Sequence, residues 1–251
     1  MNDIKALSKV YLINMLSNKF VFIFNLLLPT VYFLYLNGKY WSRSQVTFNQ
    51  STNLVMSNFW AYIIIVTILN NVIIAIISQR ENGSYKQLFF IVGSKWKILI
   101  ANFLVQLAVL NGELIIFNIM AMIVFHNFHI SLIVAGILSA TIITLPVAGI
   151  SSILFLWKVK IESINLLVSV LLFGLFALSS VPESGSIINV FSLLNPVTYT
   201  VEMAFQILSL FANHIFSNQT ILIWFLVTIT YGFIGWFSVS KLSVHSVIDR
   251  A

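Results

Sequence analysis

The 251-residue chain has no cysteine and very little charge, with Asp, Glu, Lys and Arg making up only 8% of it. Without cysteine there is no disulfide scaffold, no Cys-ligated zinc, no iron–sulfur cluster and no thiol nucleophile. The shortage of charge excludes more. A soluble domain is roughly 25% charged, and so few charges cannot clothe the water-facing surface of a globule this size. Acidic residues are scarcest, 7 Asp+Glu against 13 Lys+Arg, for a net charge of +6. Signatures of catalysis are missing too. No GxxxxGK[ST] loop exists to cradle phosphates, and the only Gly-Lys pair, Gly38-Lys39, is followed by Tyr40. No HExxH occurs, and His126 with His129 supplies too few ligands for catalytic zinc. Gly149-Ile150-Ser151-Ser152 has no histidine at matching depth on a neighbouring span, which argues against a membrane serine protease. The chain reads as a non-enzyme with no metal or cofactor of its own.

What is present is apolar. The residues AVILMFWYC make up 59% of the chain, and mean hydropathy is +0.99. This is the composition of an integral membrane protein. A helix crossing a bilayer needs roughly 20 apolar residues, and six stretches qualify: Phe20–Leu36, Met56–Ser78, Ile98–Phe125, Ile130–Trp157, Ile164–Ser180 and Thr220–Ser240. The runs are continuous, not alternating with period two, so they predict helices and not a barrel. The expected fold is all-α, a single transmembrane domain over residues 1–251. The third and fourth runs are overlong. Asn111-Gly112 is expected to break the third, and Pro146 to kink the fourth by removing a backbone donor. The 22 phenylalanines are expected first as lipid-facing bulk, some lining a hydrophobic path.

The cations orient the spans. With the N-terminus in the cytoplasm, eleven of the thirteen Lys and Arg fall inside, among them Arg80, Lys86, Lys95, Lys97, Lys158, Lys160, Lys241 and Arg250. Only Lys39 and Arg43 fall outside. The positive-inside rule selects both termini cytoplasmic in a cell membrane. That bias accounts for the basic balance without nucleic acid as a partner. Trp41, Trp60 and Trp224 map near outer ends and Trp96, Trp157 and Trp236 near inner ends, where amphipathic indoles prefer to sit.

Two segments are not simple spans. Over Asp3–Lys19, Ile4, Leu7, Val10 and Tyr11 share one helical side and Lys5, Ser8 and Lys9 the other, the pattern of a helix lying in the interface. Val181–Gln219 is mostly apolar and contains Pro182, Gly185 and Asn195-Pro196. Split at that pair, it yields Ile187–Leu194 and Val197–Phe211, neither long enough to span. Thr198, Glu202, Gln206, Ser209 and Asn213 form a polar stripe on the longer piece. A re-entrant or outer-interface helical hairpin fits this pattern.

The loop between the second and third spans runs from Gln79 to Lys97. Ser84 and Gln87 stand in N-cap and N3 relation, a capping box, and Gly93 stands where a left-handed residue would end a helix. A short helix over Tyr85–Val92 is predicted, with Leu88, Phe89 and Phe90 as an apolar knob that a protein partner would bury. A loop resting on lipid headgroups is the alternative. Arg80-Glu81-Asn82-Gly83-Ser84, and Asn195-Pro196-Val197-Thr198-Tyr199 ahead of the last span, resemble the ABC-2-type transporter permeases. The resemblance covers nearly the whole chain, although Gly83-Ser84-Tyr85 stands where many members have Gly-Thr-Leu. It implies that Arg80 to Val92, with Arg80, Glu81, Gly83, Ser84, Tyr85, Lys86, Gln87, Leu88, Phe89 and Phe90, couples to an ABC ATPase subunit. ATP and magnesium would then sit on that separate chain, and a second permease, a copy or a relative, would complete the unit.

Polar groups within the spans are the remaining candidates. Glu113 lies midway along the third span near Gln106 and Asn111, where a charge costs around 2.5–3.5 kcal/mol on insertion scales. It lines a pathway or subunit interface, or it staples two helices. Asn70 and Asn71 invite the same two readings, and Glu202 is a further pathway or interface candidate. The expected function is the permease subunit of an exporter of hydrophobic or amphipathic cargo: a peptide or bacteriocin, a drug or a lipid-linked polymer. An ion-coupled secondary transporter using Glu113 is the competing class, and a non-transporting immunity or scaffold protein a third.

Overall fold

Four helices are long and apolar enough to cross a membrane: Gln50–Glu81, Lys95–Phe125, Ile130–Leu156 and Leu222–Lys241. They belong to a computed structural model that describes residues 2–17, 19–41, 50–157, 161–179, 192, 194–211 and 218–246. Among the described residues the structure is helical, with no strand. In chain order the helices are α1 (Asn2–Ser17), α2 (Lys19–Asn37), α3 (Gln50–Glu81), α4 (Ser84–Val92), α5 (Lys95–Phe125), α6 (Ile130–Ser151), α7 (Ile161–Ser179), α8 (Pro196–Leu210) and α9 (Asn218–Lys241). A 3₁₀ turn over Ser152–Leu156 extends α6. Every expected span becomes a helix. The expectations for Arg43, Lys158, Lys160, Asn213 and Arg250, and for the hairpin arm carrying Pro182, Gly185 and Ile187, lie outside the described residues.

α3, α5, α6 and α8 form the centre, with α9 against α6, α1 along α5, and α2 against α3 and α5. The core is more aromatic than the lipid-facing expectation allowed. Phe33 of α2 packs edge-on against Phe59 of α3 and Phe117 and Phe125 of α5, at centroid distances of 5.3, 5.2 and 5.5 Å. Such ring pairs contribute about 0.5–1.5 kcal/mol each beyond burial. Trp60 is also fully buried, not at an interface as its place in the sequence suggests. Its Nε1 donates to Asn118 Oδ1 at 2.8 Å, and Asn118 Nδ2 donates to Leu132 O at 3.2 Å. One carboxamide thus ties α3, α5 and α6 together where hydrocarbon offers no other partner.

α6 and α9 touch backbone to backbone. A Cβ on Gly149 would lie 2.6 Å from Tyr231 O, and one on Gly235 would lie 2.7 Å from Gly149 Cα. Small residues permit this approach, a recurrent way of joining helices in membranes.

One expected break is absent and one unexpected irregularity appears. α5 runs unbroken through Asn111-Gly112, with Asn111 Nδ2 donating back to Leu107 O at 2.8 Å within the helix. α6 continues through Pro146 and tightens only after Ser151. In α3, Ile68–Ile74 is a π-helical stretch. Asn71 O in that stretch accepts from Asn102 Nδ2 of α5 at 3.2 Å. Wider turns of this kind leave carbonyls off the regular ladder, where a neighbouring helix can answer them.

α1 differs in its inward face. Leu7 and Tyr11, from the expected apolar side, are buried against α5 and not in the interface, while Val10 is 53% exposed, beside Ile13 and Leu16. The helix therefore has one apolar side on protein and another directed away from it.

Candidate functional site

α3 ends, α5 begins and the extension of α6 ends on one side of the molecule, where α4 sits. Gly83, at φ 79°, turns the chain out of α3, and Gly93, at φ 69°, turns it into α5. Both angles lie in the left-handed region open to glycine at no steric penalty. Gly93 N–H donates to Phe89 O at 2.7 Å, closing the helix as expected.

The start of α4 is built differently from the expected capping box. Gly83, not Ser84, occupies the N-cap, and α4 begins at Ser84. The Ser84 hydroxyl donates to Asn82 Oδ1 at 2.7 Å and lies 3.3 Å from Gln79 O, while Ser84 N–H donates to Asn82 Oδ1 at 3.1 Å. Gln87 N–H goes to Gly83 O. Asn82, not the expected Ser84, thus supplies the side-chain acceptor at this end.

Arg80 is 1% exposed and so not a surface docking cation. Its Nε donates to Glu81 Oε1 at 2.7 Å, and its Nη1 to Phe155 O at 3.1 Å. The guanidinium therefore fastens the end of α3 to the end of the α6 extension. Tyr85 is fully buried, and burial raises its phenol above the ordinary range. Its hydroxyl and Arg80 Nη2 have no hydrogen-bond partner among the described residues. α1 joins this cluster, since Tyr11 donates to Gln79 Oε1 at 3.0 Å and Lys97 Nζ donates to Asp3 Oδ2 at 2.7 Å. Lys97 holds the Asp3 carboxyl below the usual carboxylate value.

With Tyr85 inside, the apolar knob moves. Leu88 and Phe89 pack partly against the core. Phe90 at 73% and Ile91 at 81% exposure are the apolar side chains that α4 presents outward. Gln87 is exposed beside them, and Lys86 is half-buried.

The candidates within the spans divide among separate contacts. Glu113 is fully buried between α5 and α3, its Oε2 accepting from Thr67 Oγ1 at 2.9 Å, while Oε1 has no partner among the described residues. Asn70 lines an open groove of about 630 Å³ between α3 and α7, with Asn165, Ser169 and Phe176. A second groove of about 580 Å³, lined by Pro29, Tyr32, Asn58 and Phe59, adjoins it at Tyr62 and Phe176. Asn71 contributes its carbonyl to α5, as above. On α8, Glu202 is half-buried, with Thr198 and Gln206, and Ser209 is buried.

α8 itself starts deep. Asn195 caps it, with Oδ1 accepting from Val197 N–H at 2.9 Å and Pro196 in the first turn. Asn195 Nδ2 donates to Leu175 O of α7 at 2.8 Å, and Tyr231, just past the middle of α9, donates to Leu194 O at 3.0 Å. From that turn α8 runs along the first part of α3 and along α6.

His126 and His129 lie at the α5–α6 turn, where His126 Nε2 donates to Trp41 O at 3.2 Å. Among the described residues no group of three or more His, Cys, Asp or Glu could hold a metal ion. No family model, no curated protein and no solved structure matches the chain.

Proposed function

We propose that the chain is the membrane-spanning subunit of an ATP-driven exporter of the ABC-2 type. α4 carries the reading: a short helix held between two left-handed glycines, rooted inward by Tyr85, with Phe90 and Ile91 left uncovered. An exposed apolar pair on an otherwise anchored helix fits burial by a protein partner. In this reading the partner is an ATPase chain that carries ATP and magnesium, and the unit contains two permeases and two ATPases. Closure of the ATPases pushes α4, and the Arg80 link passes that displacement to α3 and α6 together. α2 and α7, 19 residues each, join the four membrane-length helices as six spans, both termini and α4 being cytoplasmic. α8 forms the return arm of an outer re-entrant hairpin, a reading supported by the depth of the Asn195-Pro196 turn beside Tyr231. The grooves along α3 and α7 are mostly apolar, which favours a hydrophobic or amphipathic cargo moving outward at the permease–permease interface.

The test is co-purification with the ATPase subunit. Phe90→Asp with Ile91→Asp is expected to abolish the complex while leaving the unfolding midpoint unchanged, because both side chains are exposed. A complex that survives this pair overturns the docking assignment.

One observation favours the competing class. Glu113 keeps a carboxylate oxygen with no partner among the described residues in a fully buried position, as an intramembrane proton or ion site would. Transport that runs in ATP-free vesicles under an ion gradient and is lost in Glu113→Gln would establish the secondary transporter instead.

A further inference from the structure

A crevice between α3, α5, α6 and α9, at the α4 end, borders the Arg80 link at Phe155 but is not itself used by the coupling scheme. Its volume is about 310 Å³, at the lower end of the roughly 300–1,000 Å³ usual for ligand pockets. Its walls are apolar. Ser152 contributes a hydroxyl to the lining, but donates it to Gly149 O at 2.7 Å. Gly232 forms part of the wall, and nothing lies within 4 Å of where its Cβ would stand. That position is open space, unlike the tight crossing at Gly149 and Gly235.

The mouth has a different chemistry. Trp96 and Trp236 line it and are 43% and 58% exposed. Just beyond Trp96, Lys95 Nζ reaches Ser240 O at the end of α9 at 3.3 Å, and the next residue, Lys241, is exposed. Among the described residues no carboxylate pairs with either lysine, whereas Lys97 is bound to Asp3. An apolar slot, two exposed tryptophans along it and two lysines with no carboxylate partner among the described residues follow the profile of a lipid from chain to headgroup.

We propose that this crevice holds an acyl chain of an anionic phospholipid, with Lys95 and Lys241 meeting its phosphate-bearing headgroup. A zwitterionic lipid brings its own cation to the lysines, and a soluble anion leaves the apolar slot empty. The proposal rests on the membrane reading but not on the ATPase partner.

The full chain is reconstituted in phosphatidylcholine vesicles containing dibrominated phosphatidylglycerol or dibrominated phosphatidylcholine at equal mole fraction. Tryptophan quenching is then recorded, with Trp96→Phe and Trp236→Phe identifying the reporters. Vesicle flotation separately reads membrane insertion, so a chain that fails to float sinks the membrane reading itself. Brominated phosphatidylglycerol is expected to quench Trp96 and Trp236 more strongly, reflecting local enrichment of about fivefold per lysine. Lys95→Gln with Lys241→Gln brings it down to the phosphatidylcholine level. Gly232→Leu fills the slot and weakens quenching by both lipids, with circular dichroism and the unfolding midpoint preserved. Equal quenching by the two lipids in the unmodified chain, a preference that survives the double glutamine variant, or unchanged quenching in Gly232→Leu overturns the proposal. So does abolition of the preference by inorganic phosphate, which would assign the lysines to a soluble anion.

Discussion

Trp60 and Asn118 meet through a 2.8 Å hydrogen bond in which neither residue is exposed. Gly136 of α6 faces the same carboxamide, and a Cβ there would fall 2.4 Å from Asn118 Nδ2. A double-mutant cycle of Trp60→Phe and Asn118→Ala is expected to give a coupling of about 0.6 kcal/mol, the average for bonds between membrane helices, and at most about 1.7 kcal/mol. Gly136→Ala is expected to destabilise the chain by displacing Asn118, and much less so in an Asn118→Ala background. Equilibrium unfolding in mixed micelles reads both effects.

Arg80 is expected to matter for folding before it matters for docking. Arg80→Met withdraws two donors from a buried site and is expected to destabilise by about 3–5 kcal/mol, as breaking a buried pair does. Arg80→Lys recovers only part of this, because a lysine ammonium lacks the planar fork that serves Glu81 and Phe155 O at once. Thermal unfolding in detergent measures both. A wild-type midpoint in Arg80→Met would show that the link to Phe155 O carries no weight.

The three glycines of the α6–α9 region should separate cleanly. Gly149→Ala and Gly235→Ala place a methyl group against backbone and are expected to cost roughly 1–3 kcal/mol each. Gly232→Ala meets nothing and gains helix propensity, up to about 1 kcal/mol. Comparing the three midpoints tests whether α9 is seated at that crossing.

The tether of α1 to α5 is expected to fail in acid. Asp3 has its pKa lowered from 3.8 by the Lys97 hydrogen bond, so the native state favours the ionised carboxylate. Its contribution is present above pH 3.8 and is lost as pH falls through the lower native value. The pair is exposed, and the effect is small and weakened by salt. A spin label on α1 should report greater mobility as pH drops through this window. Asp3→Asn should show that mobility already at neutral pH.

The helices were legible in the sequence because unbroken apolar runs and glycine stops are local signals. Gly93 ends α4 where the spacing places it, and the start falls one residue earlier than expected. The faces of the helices were not legible. A helix apolar all round has no amphipathic stripe to mark its inner side, so Phe33 and Trp60 read as lipid-facing or interfacial when both are core. Arg80 reads as a docking cation because its acceptor, Phe155 O, is 75 residues away. The capping box at Ser84 fails for a local reason, since Gly83 adopts a left-handed angle and Asn82 becomes the acceptor. The π stretch at residues 68–74 had no compositional mark at all.

That stretch gives α3 a property that a regular helix lacks. An i→i+5 turn accommodates one residue more than an α turn, and helix above and below it keeps its alignment. Removing any single residue elsewhere in α3 would swing everything downstream by about 100° and carry Arg80 away from its carbonyl. Removing one between Ile68 and Ile74 lets the coil close to ordinary pitch while Thr67 and Arg80 still face their partners. The molecule thus holds slack in its central rod, just past the buried carboxylate on the way to the loop helix.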